Sequence, residues 1–167
     1  MSDSSLPLYH EDMFACYPKM IERLKKLVEN GTVKTIKECD NIDDLLPSTD
    51  GVSKRLPLDG CLYVVFDNLT PLESNDDGSE QEEQIGFSLV YTTKKYNFRP
   101  LSGMSVGIVL TRIAKRMNGY LPEDENGNAY TLSPFVQATP LAVRYANGFG
   151  YFSRRYVTTV ATCADND

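Results

Sequence analysis

The clearest hydrophobic pattern in the chain lies between Ser102 and Gly119. Its apolar residues recur at the spacing of an α-helix and share one face: Val106, Val109, Leu110, Ile113 and Met117. Arg112, Lys115 and Arg116 fall outside that face. Ser102 is the predicted N-cap, because its hydroxyl can accept a free amide N–H, and Gly119 is the predicted end, because glycine readily becomes left-handed. We predict an amphipathic helix that packs across a sheet.

A second apolar stripe covers residues 13–28 and predicts another helix. Pro18 interrupts this stripe, so we expect the helix either to kink there or to start near Tyr17. A short helical turn is predicted over residues 42–46, with Asn41 as its cap.

Five segments have the alternation, the β-branched content or the length of strands: 32–38, 61–66, 85–96, 129–143 and 151–162. Segment 32–38 contains lysines and is the predicted edge strand, whereas segment 61–66 is fully apolar and is predicted to be central. Segments 61–66 and 85–96 would form a long hairpin whose tip is an acidic, solvated loop over residues 70–84. Asn147-Gly148 predicts a second hairpin.

These elements follow one another as helix, strand, short helix, strand, strand, helix, strand, strand. This order predicts an α+β fold, in which two main helices pack on a mostly antiparallel sheet. We expect a single domain over residues 9–162. A flexible arm (1–8) would precede it, and a short acidic tail (163–167) would follow it.

Composition excludes several classes of function. The net charge of -6 argues against a general nucleic-acid-binding protein, which would carry a basic face. No apolar run approaches the ~20 residues of a membrane span, and the start of the chain does not resemble a signal peptide. Four cysteines without metal-ligand spacing indicate reduced, mostly buried thiols in a cytosolic protein.

Familiar catalytic patterns are absent from the sequence. His10 is the only histidine, and Cys16 lies six residues away, which is not a shared helical face. Segments 75–80 and 124–128 resemble calcium loops but lack the ligand spacing and the closing glutamate. The glycines at 148–150 do not have phosphate-loop spacing. We therefore predict no enzymatic activity, no cofactor and no metal site.

Two sets of charged residues are candidates for contacts with other proteins. The basic set could contact neighbouring subunits or a tube, although ordinary surface roles compete with that interpretation: Arg99, Arg144, Arg154 and Arg155. Arg154 and Arg155 are expected to face opposite ways because they are adjacent in a strand. The acidic set would be exposed or would face a ring's lumen, where it would repel passing DNA: Glu73, Asp76, Asp77, Glu80, Glu82 and Glu83.

The order of segments resembles a known family. An amphipathic helix ending at residues 20–27 leads into strand 33–37, and a short 42–46 segment precedes the buried strand 61–66. A second long strand leads through Arg99-Pro100 to the helix after Ser102. The chain closes with Asn147-Gly148 and the strand 156–160. This pattern is similar to the tail terminators and tail-completion (minor tail) proteins of long-tailed phages, including the Mu-like tail protein group.

The resemblance implies a structural, non-enzymatic protein of a phage or prophage tail. Such proteins form hexameric rings that cap the tail tube and join it to the head. Its implied partners are further copies of itself, the tail tube protein and a head–tail connector, without sequence-specific nucleic-acid or membrane binding. It would be assembled in the bacterial cytoplasm and reside in the virion tail. The alternatives are a non-viral cytosolic interaction module without catalysis and, third, a carboxylate-dependent hydrolase or transferase, which would show a deep pocket.

Overall fold

A six-stranded mixed sheet organises the computed structural model, which describes residues 12–46, 56–94, 96 and 104–165. Its strands are β1 (Thr35–Glu38), β2 (Cys61–Ser74), β3 (Glu80–Thr93), β4 (Val136–Ala138), β5 (Arg144–Ala146) and β6 (Phe149–Cys163). The spatial order is β1-β2-β3-β6-β4, and β5 also pairs with β6. β1 runs parallel to β2, whereas the other pairs are antiparallel. The predicted edge position of β1 and the hairpin of β2 and β3 are confirmed.

The described residues include four helices: α1 (Cys16–Leu24), α2 (Lys26–Glu29), α3 (Ile42–Leu45) and α4 (Val106–Met117). α1 and α4 pack on one face of the sheet, where Met20 and Ile113 join Phe87 in the main core. Leu45 of α3 packs on the opposite face with Val90 and Tyr151. The predicted α+β fold is confirmed.

Capping side chains mark the starts of α3 and α4, and a proline lies in the first turn of α1. The hydroxyl of Ser105 accepts the amide N–H of Ile108 at 3.2 Å, so Ser105 is the N-cap of α4. The predicted cap, Ser102, lies outside the described residues. Pro18 occupies the first turn of α1, where the missing N–H costs no helical hydrogen bond, so the helix starts at Cys16 rather than kinking. Asn41 caps α3 as predicted.

Three predicted segments differ from the structure. The apolar stripe over residues 13–28 is not one helix, because Lys25 separates α1 from α2. Segment 129–143 is not one strand, because only Val136–Ala138 pairs with β6, and prolines at 134 and 140 flank this short stretch. The acidic segment 70–84 is not a loop, because β2 continues to Ser74 and β3 starts at Glu80.

β6 is longer than predicted and is a partner of β3 along its full length. It continues to Cys163, one residue into the predicted tail, and pairs along the whole of β3. The backbone hydrogen bonds on both sides of β3 stabilise an extended conformation that its local composition does not favour. The predicted arm, 1–8, lies outside the described residues.

Candidate interaction surfaces

The distal ends of β2, β3 and β6 form a three-stranded extension of the sheet. We call this extension, residues 68–84 and 161–164, the β-arm. Its central strand pairs with both neighbours: Gln81 lies opposite Ser74 on β2 and opposite Thr162 on β6. Residues 85–93 of β3 are buried, whereas residues 69–78 are exposed. The β-arm is therefore an ordered structure that contributes little to the core.

Hydrogen bonds close the tip of the β-arm. The side-chain oxygen of Asn75 accepts the amide N–H of Glu80 at 3.0 Å, and its side-chain nitrogen donates to the hydroxyl of Ser79 at 2.9 Å. Gly78 has the left-handed φ of 73° that this turn requires. The amide N–H of Ala164 donates to the carbonyl of Ser79 at 2.7 Å, which ties the third strand to the tip.

The β-arm is strongly acidic. It holds all six residues of the predicted acidic set and no lysine or arginine. Hydrogen bonds from the hydroxyl and the amide N–H of Ser79 lower the pKa of the Asp77 carboxyl. Leu69 and Leu72 are 50% and 44% exposed, so the β-arm also presents apolar surface. This combination suits binding to a partner that carries cations.

The three candidate arginines that the structure describes do not form one cluster. Arg99 lies outside the described residues, and Arg144 is exposed on β5. Arg154 lies opposite Leu89 and Arg155 opposite Ser88, so the two occupy opposite faces as predicted.

Arg155 stabilises an irregular part of the sheet. Its Nε lies 3.2 Å from Oδ1 of Asp67, which sits where the pairing of β2 shifts register between Phe66 and Asn68. The other carboxylate oxygen of Asp67 accepts the hydroxyl of Ser88. These contacts assign Arg155 a structural role. Nε of Arg154 is buried and has no hydrogen-bond partner in the described part of the chain.

A second basic group lies on the helices. Nε of Arg23 donates to the carbonyl of Arg116 at 2.5 Å, and Nε of Arg116 donates to the carbonyl of Arg23 at 3.2 Å. The guanidinium of Arg23 also lies 4.4 Å from the ring centre of Tyr120. Burial and the neighbouring charge of Arg116 lower the pKa of Arg23. The two like charges are thus held close together by their own backbone contacts.

Two more cations extend this group. Nη1 of Arg112 donates to the hydroxyl of Thr32 at 3.0 Å, and Lys115 is exposed on the same helix. We call Arg23, Arg112, Lys115 and Arg116 the basic helical patch. The sequence places Arg112, Lys115 and Arg116 off the apolar face of α4. Only the packing of α1 on α4 adds Arg23, which is 93 residues away from Arg116.

A cavity of about 340 Å³ lies between α1 and the edge of the sheet. Its walls are aromatic, with Phe14 and Phe66 rings 4.8 Å apart in an edge-on arrangement, and Glu38 and Asp40 also line it. Burial, followed by hydrogen bonding to Glu38, raises the pKa of Tyr17. The cavity combines apolar walls with acidic groups. The single histidine, His10, lies outside the described residues.

The described residues hold no group of three or more His, Cys, Asp or Glu side chains that could bind a metal ion. Asp124, in one of the two segments that resemble calcium loops, uses its carboxylate to accept the amide N–H groups of Asn126 and Asn128. Among the same residues, no helix has both the length and the hydropathy of a membrane span.

The sequence matches no model of a protein family, and it matches no curated protein.

Proposed function

We propose that this protein is a structural assembly protein of a phage or prophage tail. It forms a homo-oligomeric ring of about six copies that caps the tail tube and joins the tube to the head. In this proposal its partners are its own copies, the tube protein and a head–tail connector. It performs no catalysis.

The observation that carries this proposal is the β-arm. A protein that works alone gains little from a three-stranded extension whose carboxylates and leucines face solvent. An assembly protein needs such a surface, because each copy must contact a neighbour outside its own core. The ordered tip also reduces the conformational entropy lost when that contact forms.

We propose a phage tail, rather than another assembly, because of the order of the elements along the chain. The resemblance to tail terminators rests on a helix, a strand, a short helix, a long hairpin, a second helix and a closing strand. The structure has these elements in that order, with the two main helices on one face.

A non-viral interaction module without catalytic activity is the alternative. It would use the same β-arm to bind a different protein and would not need to form a ring. The basic helical patch favours self-assembly over this alternative, because one chain then carries both the acidic and the basic surface.

Imaging of the purified protein separates the two functions. The concentrated protein is examined by negative-stain electron microscopy, and its mass is measured by light scattering across a dilution series. We expect closed rings, with six-fold symmetry as the commonest class. A monomer at every concentration, with no rings in the images, would contradict the proposal and favour the interaction module.

A further inference from the structure

We propose that the β-arm of one copy docks on the basic helical patch of the next copy. This inference rests on the ring proposed above and identifies the surfaces that would join its subunits. The occupant of each surface is thus a second copy of this chain, and the contact is between different patches on the two copies.

The first support is that, within the described residues, no ion pair involves the basic helical patch or five of the six acidic residues of the β-arm. Within the described residues the ion pairs join Lys19 to Glu22, Lys26 to Glu29, Lys34 to Asp59 and Arg155 to Asp67. None of these pairs involves the basic helical patch, and none involves Glu73, Asp76, Asp77, Glu82 or Glu83 of the β-arm. One copy therefore presents complementary charges at two separate places.

The second support is the geometry of the two arginines. The reciprocal bonds between Arg23 and Arg116 use the Nε donors. A guanidinium has five N–H donors in a planar fork, so each side chain retains donors that suit a carboxylate. A carboxylate placed there would also relieve the repulsion between the two like charges, which adds to burial in lowering the pKa of Arg23.

The third support is the form of the β-arm. Side chains alternate along β3, so Glu80 and Glu82 lie on one face and Glu83 lies on the other. Leu69 is aligned with Ile85 and Pro71 with Glu83, which places an exposed leucine on the same face as Glu83. Each face can therefore offer a carboxylate, and one of them also offers apolar contact.

The symmetry of such a contact fits the proposed ring. The β-arm and the basic helical patch are different surfaces, so each copy would use its arm on one neighbour and its patch on the other. Contacts of this head-to-tail kind produce closed rings when the rotation between copies closes, and open chains when it does not.

The test uses two charge-reversal variants of the full chain. The patch variant is R112E/K115E, which leaves the Arg23–Arg116 bonds in place. The arm variant is E82K/E83K. We expect each change to weaken self-association by more than about tenfold, as measured by sedimentation velocity. The matched control is K25E/K37E, which reverses two exposed lysines that form no ion pair within the described residues and is expected to associate as the unmodified protein does.

Mixing the two variants separates docking from misfolding. The intact arm of the patch variant is acidic and the intact patch of the arm variant is basic, and the reversed surfaces are also complementary to each other. An equimolar mixture should therefore regain association, although neither variant associates alone. Circular dichroism of each variant confirms that it is folded.

The outcomes distinguish this inference from the proposed ring. Rings that persist in both variants would overturn the inference and leave the proposed function standing. Salt-sensitive association that is lost and regained as described, but yields dimers or open chains, would support the inference and contradict the ring. An unmodified protein that remains monomeric at about 0.05 M salt would overturn both.

Discussion

Burial divides the four cysteines into two classes. Cys16 and Cys61 are fully buried, and burial raises the pKa of each thiol to about 11. Cys163 is exposed near the end of β6, and Cys39 is partly exposed. All four are free thiols. The expectation of reduced, mostly buried thiols thus applies fully to only two of them.

This division predicts which thiols react. At pH 8 a buried thiol with a pKa of about 11 is almost entirely protonated and is also shielded from reagent. We expect iodoacetamide to modify Cys163 first and Cys39 more slowly, with Cys16 and Cys61 protected until the protein unfolds. Mass spectrometry of timed digests measures each site. Equal labelling of Cys61 and Cys163 in the native protein would contradict the burial of β2.

Asp59 links the loop before β2 to the end of β3. Its Oδ1 accepts the amide N–H of Lys94 at 2.8 Å, and Lys34 lies 3.4 Å from its Oδ2. The bond from Lys94, more than the charge of Lys34, lowers the pKa of Asp59. A carboxyl with a lower pKa in the folded state stabilises the fold above its unfolded pKa, and that contribution is lost as the pH falls through the folded value.

We therefore expect Asp59→Asn to reduce the free energy of unfolding at pH 7 by up to about 1 kcal/mol, since the group is partly exposed. The difference from the unmodified protein should shrink below about pH 4. Urea unfolding of both proteins at a series of pH values measures this difference in the free energy of unfolding. Asp165→Asn, near the exposed end of the chain, serves as the control and should have no effect. A difference that stays constant down to pH 2 would show that charge is not the cause.

At the scale of elements, the cap of α4 depends on a single hydroxyl. Ser105 is 6% exposed, and its bond to the amide of Ile108 satisfies one of the free donors at the helix start. We expect Ser105→Ala to cost about 1 kcal/mol of stability in urea unfolding. Ser102→Ala is the matched comparison, because the sequence alone favours Ser102. A larger effect at Ser102 than at Ser105 would contradict the boundary at Val106.

The β-arm makes a prediction about hydrogen exchange. The amides of residues 80–86 lie between two paired strands, so they should exchange far more slowly than those of an unstructured acidic loop, which exchange within seconds. Exchange followed by mass spectrometry measures this on peptides that cover the segment. Residues 76 and 77 at the tip provide an internal comparison that should exchange quickly. Equally fast exchange over 80–86 would show that the strands do not persist.

At the scale of the whole molecule, charge is segregated despite an overall excess of acid. The net charge of -6 is a sum over the whole chain, which has a basic surface on the helices and an acidic extension of the sheet. Composition alone argues against binding to nucleic acid, but it does not show that one chain carries both halves of an electrostatic contact. This segregation allows one chain to supply both sides of a contact between copies, as the proposed ring and the proposed docking surfaces require.

Acid should therefore dissociate the proposed assembly. Electrostatic docking depends on negative charge at the β-arm, so acid conditions weaken the attraction to the basic helical patch. Hydrogen bonds from Ser79 lower the pKa of Asp77, so this carboxylate should keep its charge further into acid than a free aspartate does. We expect association, measured by light scattering from pH 7 to pH 3, to fall as the pH falls. Far-UV circular dichroism must stay constant for the loss to be assigned to charge, and undiminished association at pH 3 would contradict electrostatic docking.

Local patterns predicted much of the fold. The face of α4, the cap at Asn41 and the turn at Asn147-Gly148 each depend on residues close together in the chain. The apolar run in β2 likewise indicated a strand inside the sheet. Residue spacing and turn chemistry act over a few residues, so the sequence by itself determined these elements and, through their order, the α+β class.

Only the tertiary structure determined that the acidic segment forms strands and where the basic helical patch lies. Residues 80–84 become a strand because β2 and β6 pair on both sides of them, and β6 is about 80 residues away. Arg23 meets Arg116 because α1 packs beside α4. Both outcomes depend on backbone partners distant in sequence, whose hydrogen bonds outweigh weak local preferences for loop or solvated charge.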